Sequence, residues 1–147
     1  MAQQLITFQL GDRLLGIDIM AIREIRAWAP ATPLPNTAPY MRGVVNLRGV
    51  VLPVMDLRQR LGWGESHPDE RHVMIVVDVN GRTTGLLVDC VNEIESMAEE
   101  DLQPIPSASH GDAAVFLQGL CTKGDRLILV LALERIVETP AQLQEAA

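Results

Sequence analysis

The sequence predicts a mostly β fold with two similar five-stranded barrels packed side by side and a few short helices. Its apolar runs are short, rich in Val, Ile and Leu, and separated by Gly and Pro, which is typical of strands joined by tight turns. Residues 16–25 are matched by residues 85–94 at a constant offset, which indicates a unit that occurs twice. Five short strands close more readily into a small barrel than into an open sheet, because closure removes exposed edges.

The first predicted elements are a hairpin and a short helix. Residues 8–18 hold two apolar runs around a Gly-Asp step, which predicts the hairpin. Ile19, Ile22 and Ile25 then recur at helical spacing, which predicts a short helix or helical turn that also carries Glu24. The proline-rich segment that follows is expected to be extended and bent.

A second hairpin is predicted within residues 43–58, where two apolar runs flank the Arg48-Gly49 step. Arginine tolerates positive φ poorly, so the turn is expected to place Gly49 in the left-handed conformation, as in a type II turn or a glycine bulge. Arg48 then projects from the tip. Pro53 lacks a backbone donor, so its strand is expected at an edge, a bulge or a barrel corner. A helical turn is predicted at residues 57–61.

A polar connector is the candidate boundary between the two units. Residues 64–71 contain no large apolar side chain, and they divide a single domain of 147 residues into approximate sub-barrels 1–63 and 72–137. In the second unit, residues 127–133 correspond to the second strand of the 43–58 hairpin. The alternative is that short β elements with glycine turns look alike by chance.

Composition excludes several classes of function. A net charge of -7 and an aromatic content of 3% oppose nucleic-acid binding, since both a basic footprint and stacking surfaces are lacking. The longest apolar run, residues 127–133, is far shorter than the roughly 20 residues of a membrane-spanning helix. The N-terminal residues do not form a signal sequence, so a cytoplasmic location is expected. Cys90 and Cys121 are isolated and are expected to be reduced, buried thiols.

A catalytic or metal site is not expected. The sequence lacks a phosphate-binding glycine loop, a nucleophile elbow and a paired-histidine metal motif. His67, Asp69, Glu70 and His72 could gather metal ligands in the connector, but a solvated linker explains them better. The Ser, His and Asp residues within 107–112 are too close in sequence to form a triad easily. We therefore predict a protein that is not an enzyme and carries neither metal nor cofactor.

Motifs over nearly the whole chain resemble those of the CheW family, the adaptors that couple chemoreceptors to the histidine kinase CheA. The matching segments are Thr7-Phe8-Gln9-Leu10-Gly11-Asp12, Gly16-Ile17-Asp18-Ile19, Glu24-Ile25-Arg26, residues 35–43, the 43–58 hairpin, Gly85-Leu86-Leu87-Val88-Asp89 and Gly124-Asp125-Arg126-Leu127. The resemblance implies two SH3-like barrels and a non-enzymatic scaffold of two-component signalling in chemotaxis. It also implies a cytoplasmic protein at membrane-associated receptor arrays, without membrane insertion. Self-association within such arrays is left open.

The resemblance also implies where receptors bind. The expected groove lies where the two halves meet, with the first short helix and the 43–58 hairpin as its candidate walls, and its residues are Ile22, Glu24, Gly43, Val45, Arg48 and Gly49. Core packing, solvation or turn chemistry could account for each of these singly. We predict that Glu24 and Arg48 pair across the floor of the groove while an apolar receptor helix docks beside them.

A kinase contact is expected on another face, because a coupling protein holds two partners at once. The resemblance implies a contact of barrel against barrel with CheA's regulatory domain, and the candidate residues are Val50, Leu52, Val54 and Met55. Burial of these residues in the barrel core is the competing explanation. Two other functions stay open at this point: an adaptor of another kinase array, such as one that governs surface motility, and a small-molecule-binding barrel.

Overall fold

The computed structural model describes residues 2–106 and 111–137. Within these ranges the chain forms ten strands and two short α-helices, so the predicted mostly β fold is confirmed. The elements are β1 (Ala2–Leu10), β2 (Arg13–Asp18), β3 (Ile22–Ala27), β4 (Met41–Leu47), β5 (Val50–Asp56), α1 (Leu57–Arg60), β6 (Val73–Val79), β7 (Arg82–Val88), β8 (Cys90–Ala98), β9 (Leu117–Lys123), β10 (Arg126–Leu131) and α2 (Leu133–Ile136). Three 3-10 helices lie at Ile19–Ala21, Glu99–Asp101 and Gly111–Phe116. Within the described ranges, no helix has the length and hydropathy needed to cross a membrane.

The strands form two five-stranded sheets, as predicted. Sheet A has the order β8-β1-β2-β10-β9, and sheet B has the order β3-β6-β7-β5-β4. Each sheet takes strands from both sides of the connector, so neither sheet corresponds to residues 1–63 or 72–137, and those sub-barrel bounds are wrong. The reason is that β2 pairs in parallel with β10 and β5 pairs in parallel with β7. Parallel partners need long connections, which sequence neighbours cannot provide.

The predicted internal repeat is visible in this exchange of strands. β2 begins at Arg13 and β7 at Arg82, which is the same offset that relates residues 16–25 to residues 85–94. When the first five strands are matched to the last five in chain order, the order of sheet B becomes the order of sheet A. The parallel registers correspond as well, since Val54 lies opposite Gly85 and Val130 lies opposite Gly16. Each unit therefore combines three strands of one half with two of the other.

Three apolar clusters hold this arrangement together. The largest draws residues from both sheets and both α-helices, including Phe8, Leu57, Leu86 and Ile136, each fully buried. A smaller cluster lies within each sheet. Leu5, Met97, Cys121, Ile128 and Val130 form that of sheet A, and Leu52, Val54, Met74 and Val76 form that of sheet B. Because burial of apolar surface stabilises the folded state, this shared cluster joins the two sheets into one body.

Two local predictions need correction. The isoleucines at 19, 22 and 25 do not share a helix, because only Ile19–Ala21 is helical and β3 begins at Ile22. β-branched residues fit a strand better. Asp18 ends β2 and accepts a hydrogen bond at 2.9 Å from the Met20 backbone N–H, which caps the turn. β5 is not an edge strand, since β4 and β7 flank it; Pro53 is tolerated because the pairing with β7 begins after it.

Candidate functional site

An ion pair joins the two edges of sheet B. β3 and β4 stand at opposite ends of the strand order, yet an Arg48 Nη2 at the tip of the β4–β5 hairpin lies 2.9 Å from Glu24 Oε2 on β3. The sheet is therefore curled until its edges meet, and this salt bridge, which we call the sheet B clip, closes it. The predicted Glu24–Arg48 pair is confirmed as a contact, although Glu24 lies on a strand and not on the predicted helix.

The hairpin tip is tighter than predicted. Both turn residues have positive φ, 52° at Arg48 and 85° at Gly49, which is the type I′ turn that matches the twist of a two-residue hairpin. The prediction of a type II turn or glycine bulge is therefore wrong. Asn46 Oδ1 accepts a hydrogen bond of 2.9 Å from the Gly49 N–H. An arginine in the left-handed conformation is unfavourable. The ion pair of the Arg48 side chain with Glu24 offsets this cost.

Glu24 is held by arginines from two directions. Arg26, two residues along β3, donates to Glu24 Oε1 at 3.1 Å. The hydrogen bond from Arg48, followed by that from Arg26, lowers the pKa of Glu24 below its ordinary value. The carboxylate therefore stays charged at neutral pH, and both of its oxygens are engaged.

The other predicted groove residues are less available to a partner. Gly43 is buried, with the backbone oxygen of Thr32 only 2.1 Å from where a Cβ would stand. It serves the close crossing of two backbone segments, so the prediction that it lines a groove is wrong. Ile22 packs against the large shared cluster, and Val45 packs against the cluster inside sheet B, so both are only partly exposed. Glu24, Arg48 and Gly49 remain as the residues gathered at the clip.

Burial also removes most of the predicted kinase contact. Leu52, Val54 and Met55 are at most 2% exposed, so their side chains cannot meet a partner, and the prediction for these three is wrong. The physical reason is that β5 is an interior strand whose side chains pack on both sides of the sheet. Val50 is 62% exposed, and its neighbour Val51 is 65% exposed. Val50 thus stays a prediction.

Sheet A carries a second ion pair, on the counterpart of β3, that sequence reasoning missed. Arg126, at the start of β10, lies 2.7 Å from Glu93 Oε1 on β8 and also pairs with Glu95. The hydrogen bond that Arg126 donates to the Glu93 carboxylate is the largest cause of the raised pKa of Arg126. Glu93 is the repeat counterpart of Glu24, so the internal repeat contained the signal that could have located it. We call this contact the sheet A clip.

Exposed apolar residues accompany both clips at matching positions. Ile25, the residue after Glu24 in β3, is 42% exposed, and its repeat counterpart Ile94 is 53% exposed in sheet A. Val51 of β5 and its counterpart Leu127 of β10 are likewise exposed. Each sheet therefore carries an exposed ion pair and, at matching positions of the repeat, exposed apolar residues.

The cavity between the sheets is acidic rather than apolar. It has a volume of about 360 Å³, and the carboxylates of Asp18, Asp78 and Glu134 contribute to its lining. The residues predicted for the receptor groove are all absent from its lining. This acidic lining does not suit the apolar partner helix that was predicted to dock between the two halves.

The connector is fastened rather than freely solvated. Ser66 is buried, and its backbone N–H and Oγ donate to the carboxylate of Asp56 at 2.8 and 2.7 Å. His72 lies between Asp69 and Asp89, with its ring nitrogens 3.3 and 3.4 Å from their oxygens. In the described ranges, no group of three or more His, Cys, Asp or Glu side chains is arranged to hold a metal. Of the loop considered above, residues 107–110 lie outside the described residues.

Both cysteines are free thiols. Cys121 is buried, as predicted, and burial raises the pKa of its thiol. Cys90 is only partly buried, and its Sγ lies 3.4 Å from the side-chain oxygen of Gln9.

Comparisons with known proteins agree on one family. The model of the CheW-like domain matches residues 4–141. The chain is 41% identical over 145 residues to the chemotaxis protein CheW of Rhizobium meliloti (strain 1021), covering 99% of this chain and 92% of that protein. It is 34% identical over 137 residues to the chemotaxis protein CheW of Klebsiella aerogenes, covering 93% and 82%. The crystal structure of the scaffolding protein TtCheW from Thermoanaerobacter tengcongensis superposes with a TM-score of 0.85 at 30% identity, covering 95% of this chain and 90% of that one.

Proposed function

Because this chain belongs to the CheW-like domain family, we propose that it is a chemotaxis scaffold that couples chemoreceptors to the histidine kinase CheA. The family match over residues 4–141 is the observation that carries the proposal. A scaffold needs surfaces for two partners on one rigid body, and two joined sheets with two exposed clips provide them. The chain binds and positions its partners and catalyses no step itself. Through them it is held at membrane-associated receptor arrays.

The receptor contact is assigned to the surface around the sheet B clip. Arg48 is 71% exposed in its side chain and Glu24 is 26% exposed, so the pair stabilises the fold little and its value is positional. Ile25 follows Glu24 on β3 and Val51 lies on β5 just after the hairpin tip; both are exposed and suit an apolar helix face, as in helix-in-groove recognition. The clip holds β3 and the hairpin tip at a fixed spacing for that helix.

The kinase contact is assigned to the matching surface of sheet A. Val50 lies close to Arg48 along the chain, so a kinase bound there would compete with a receptor at the sheet B clip. Ile94 and Leu127 lie on the other sheet and leave the receptor surface free. A regulatory domain of similar fold would dock there as barrel against barrel. Binding at Val50 is the rival arrangement and is an outcome of the test below.

Titration calorimetry tests both assignments with the regulatory domain of the organism's own CheA and a receptor tip fragment. We expect micromolar binding of both by the wild type. Arg48→Glu should weaken the receptor at least tenfold and leave the kinase unchanged. The exchange Glu24→Arg with Arg48→Glu should recover part of the receptor binding, and failure to recover any would refute the positional role of the clip.

Two matched apolar variants place the kinase. Leu127→Asp should weaken kinase binding at least tenfold, while Val50→Asp should leave it within twofold. The opposite result would move the kinase contact to sheet B. Absence of binding to both partners by the wild-type chain would overturn the proposed function itself.

A further inference from the structure

Arg60 of α1 contacts two aromatic rings, one from the chain next to each sheet. Its guanidinium carbon lies 4.4 Å from the centre of the Tyr40 ring and 4.7 Å from that of the Phe116 ring. Tyr40 immediately precedes β4 of sheet B, and Phe116 immediately precedes β9 of sheet A. A cation over an aromatic face is attracted by the ring quadrupole, so one side chain holds both rings.

The two rings are equivalent in the internal repeat, and each is fastened in the same way. The offset from Tyr40 to Phe116 equals the offset from Val50, which begins β5, to Arg126, which begins β10. The Tyr40 carbonyl accepts a hydrogen bond of 2.8 Å from the N–H of Asp56, and the Phe116 carbonyl accepts one of 2.8 Å from the N–H of Ala132. The backbone of each aromatic residue is thereby bound to the residue that precedes the helix of its own unit. Arg60 lies where the two units meet.

The same guanidinium also binds the end of α2. Arg60 Nε donates to the Ile136 carbonyl at 3.0 Å and Nη2 donates to the Arg135 carbonyl at 3.1 Å. These carbonyls end a helix, where a cation is favoured. At the offset that relates Tyr40 to Phe116, the counterpart of Arg60 is Ile136. Because Ile136 is apolar, it cannot donate the corresponding hydrogen bonds to the end of α1. The hydrogen-bonded link from α1 to α2 is thus asymmetric, because Arg60 makes it and its counterpart is apolar.

We propose that Arg60 is a positioning residue that sets the orientation of sheet A relative to sheet B, and that receptor control of the kinase depends on it. This inference rests on the proposed function, in which the two partners occupy different sheets. A shift of a receptor on sheet B reaches a kinase on sheet A only if the two sheets move as one body. The shared apolar cluster holds the sheets together, but apolar contact is not directional. The two hydrogen bonds that the Arg60 guanidinium donates to the end of α2 are directional, so they fix the angle between sheet A and sheet B.

Lysine cannot replace this contact. A lysine keeps the charge, but its ammonium is a compact, strongly hydrated point charge without a planar fork that stacks and donates in two directions. Arg60→Lys should therefore preserve folding and both binding surfaces while the orientation of the sheets loosens. Phe116→Leu removes one of the two rings and serves as a second variant. Arg71→Lys, at an exposed arginine of the connector, is the matched control.

The first measurement is the distance between spin labels on the two sheets. Labels at Asn46→Cys and Leu127→Cys, with Cys90→Ser, report the orientation, since the remaining Cys121 is buried. Arg60→Lys and Phe116→Leu should broaden the distance distribution at least twofold, and Arg71→Lys should not. Ile128→Val, which loosens only the cluster inside sheet A, separates orientation from general stability and should leave the distribution unchanged. An unchanged distribution in both Arg60→Lys and Phe116→Leu would overturn the proposal.

The second measurement is receptor-dependent autophosphorylation of CheA in reconstituted vesicles, beside calorimetric binding of each partner. Arg60→Lys should keep both dissociation constants within twofold of the wild type and reduce the receptor-dependent activation at least fivefold. Full activation with intact binding would refute the coupling role, and so would loss of either binding, since Arg60 would then only support folding. Failure of the wild type to activate would overturn the proposed function instead, and the spin-label distances would still decide whether Arg60 positions the sheets.

Discussion

Replacing the buried carboxylate of Asp56 is the strongest test of how the clip-bearing hairpin is anchored. Asp56 is fully buried at the end of β5, where it accepts two hydrogen bonds from Ser66 and caps α1 through the Gln59 N–H at 3.4 Å. The Arg42 guanidinium lies 3.6 Å away and neutralises the charge. The side chain thus fixes the connector, α1 and β4 relative to one another.

The expected loss follows from these contacts. Hydrogen bonds to a charged group contribute about 1.5–3 kcal/mol each, and they are not additive when they share one carboxylate. The long cap to Gln59 adds less than about 1 kcal/mol. Asp56→Ala leaves both Ser66 donors unsatisfied and should lower the free energy of unfolding by about 3–5 kcal/mol. Asp56→Asn keeps one acceptor and should cost about 2–3 kcal/mol, and Ser66→Ala, which removes one hydrogen bond to the carboxylate, about 1.5–2 kcal/mol.

Urea denaturation followed by circular dichroism measures the series. The order Asp56→Ala, Asp56→Asn, Ser66→Ala is expected, with an unchanged m-value. Asp125→Asn, at an exposed aspartate in the β9–β10 turn, is the control and should stay within about 0.5 kcal/mol of the wild type. A loss below about 1 kcal/mol for Asp56→Ala would refute the reasoning, since a typical single hydrogen bond would account for it.

Three further outcomes are expected in the same assay. Gly43→Ala should cost about 3 kcal/mol or more, because its Cβ would stand 2.1 Å from a backbone oxygen, while Gly49→Ala, at positive φ in open space, should cost about 1 kcal/mol. Tyr40→Phe should preserve or raise stability, because it removes a buried hydroxyl without a partner among the described residues. A loss of stability as large as that of truncating a core side chain would contradict this. Hydrogen bonds from Arg71, first from its backbone N–H and then from its side chain, lower the pKa of Asp69 from 3.8 to about 2. The ionised Asp69 therefore stabilises the folded state fully above pH 3.8, and this stabilisation is lost as the pH falls through about 2. Asp69→Asn should then be less stable than the wild type at pH 5 and equal to it below pH 2, and a constant difference would exclude this cause.

Local pattern was sufficient for much of the candidate site. The short β-branched runs, the Arg48-Gly49 tip and the helical turn after β5 depend on backbone preferences within a few residues, and the structure contains all three elements. The Glu24–Arg48 contact was also predicted, because the fold does not need an arginine at a hairpin tip. Periodicity misled where three isoleucines matched a helix, since the same spacing spans a 3-10 turn and the start of a strand.

The sequence by itself therefore determined a β fold with an internal repeat, the position of the exposed hairpin tip and the membership of the CheW-like family. Only the tertiary structure decided that the repeated halves exchange strands, that Leu52, Val54 and Met55 face the core, and that Arg60 contacts both Tyr40 and Phe116. The physical reason is distance along the chain. Turn and strand preferences act between neighbours, whereas β2 meets β10 and α1 meets α2 only because joint burial of apolar surface from both halves outweighs the entropy of closing long loops.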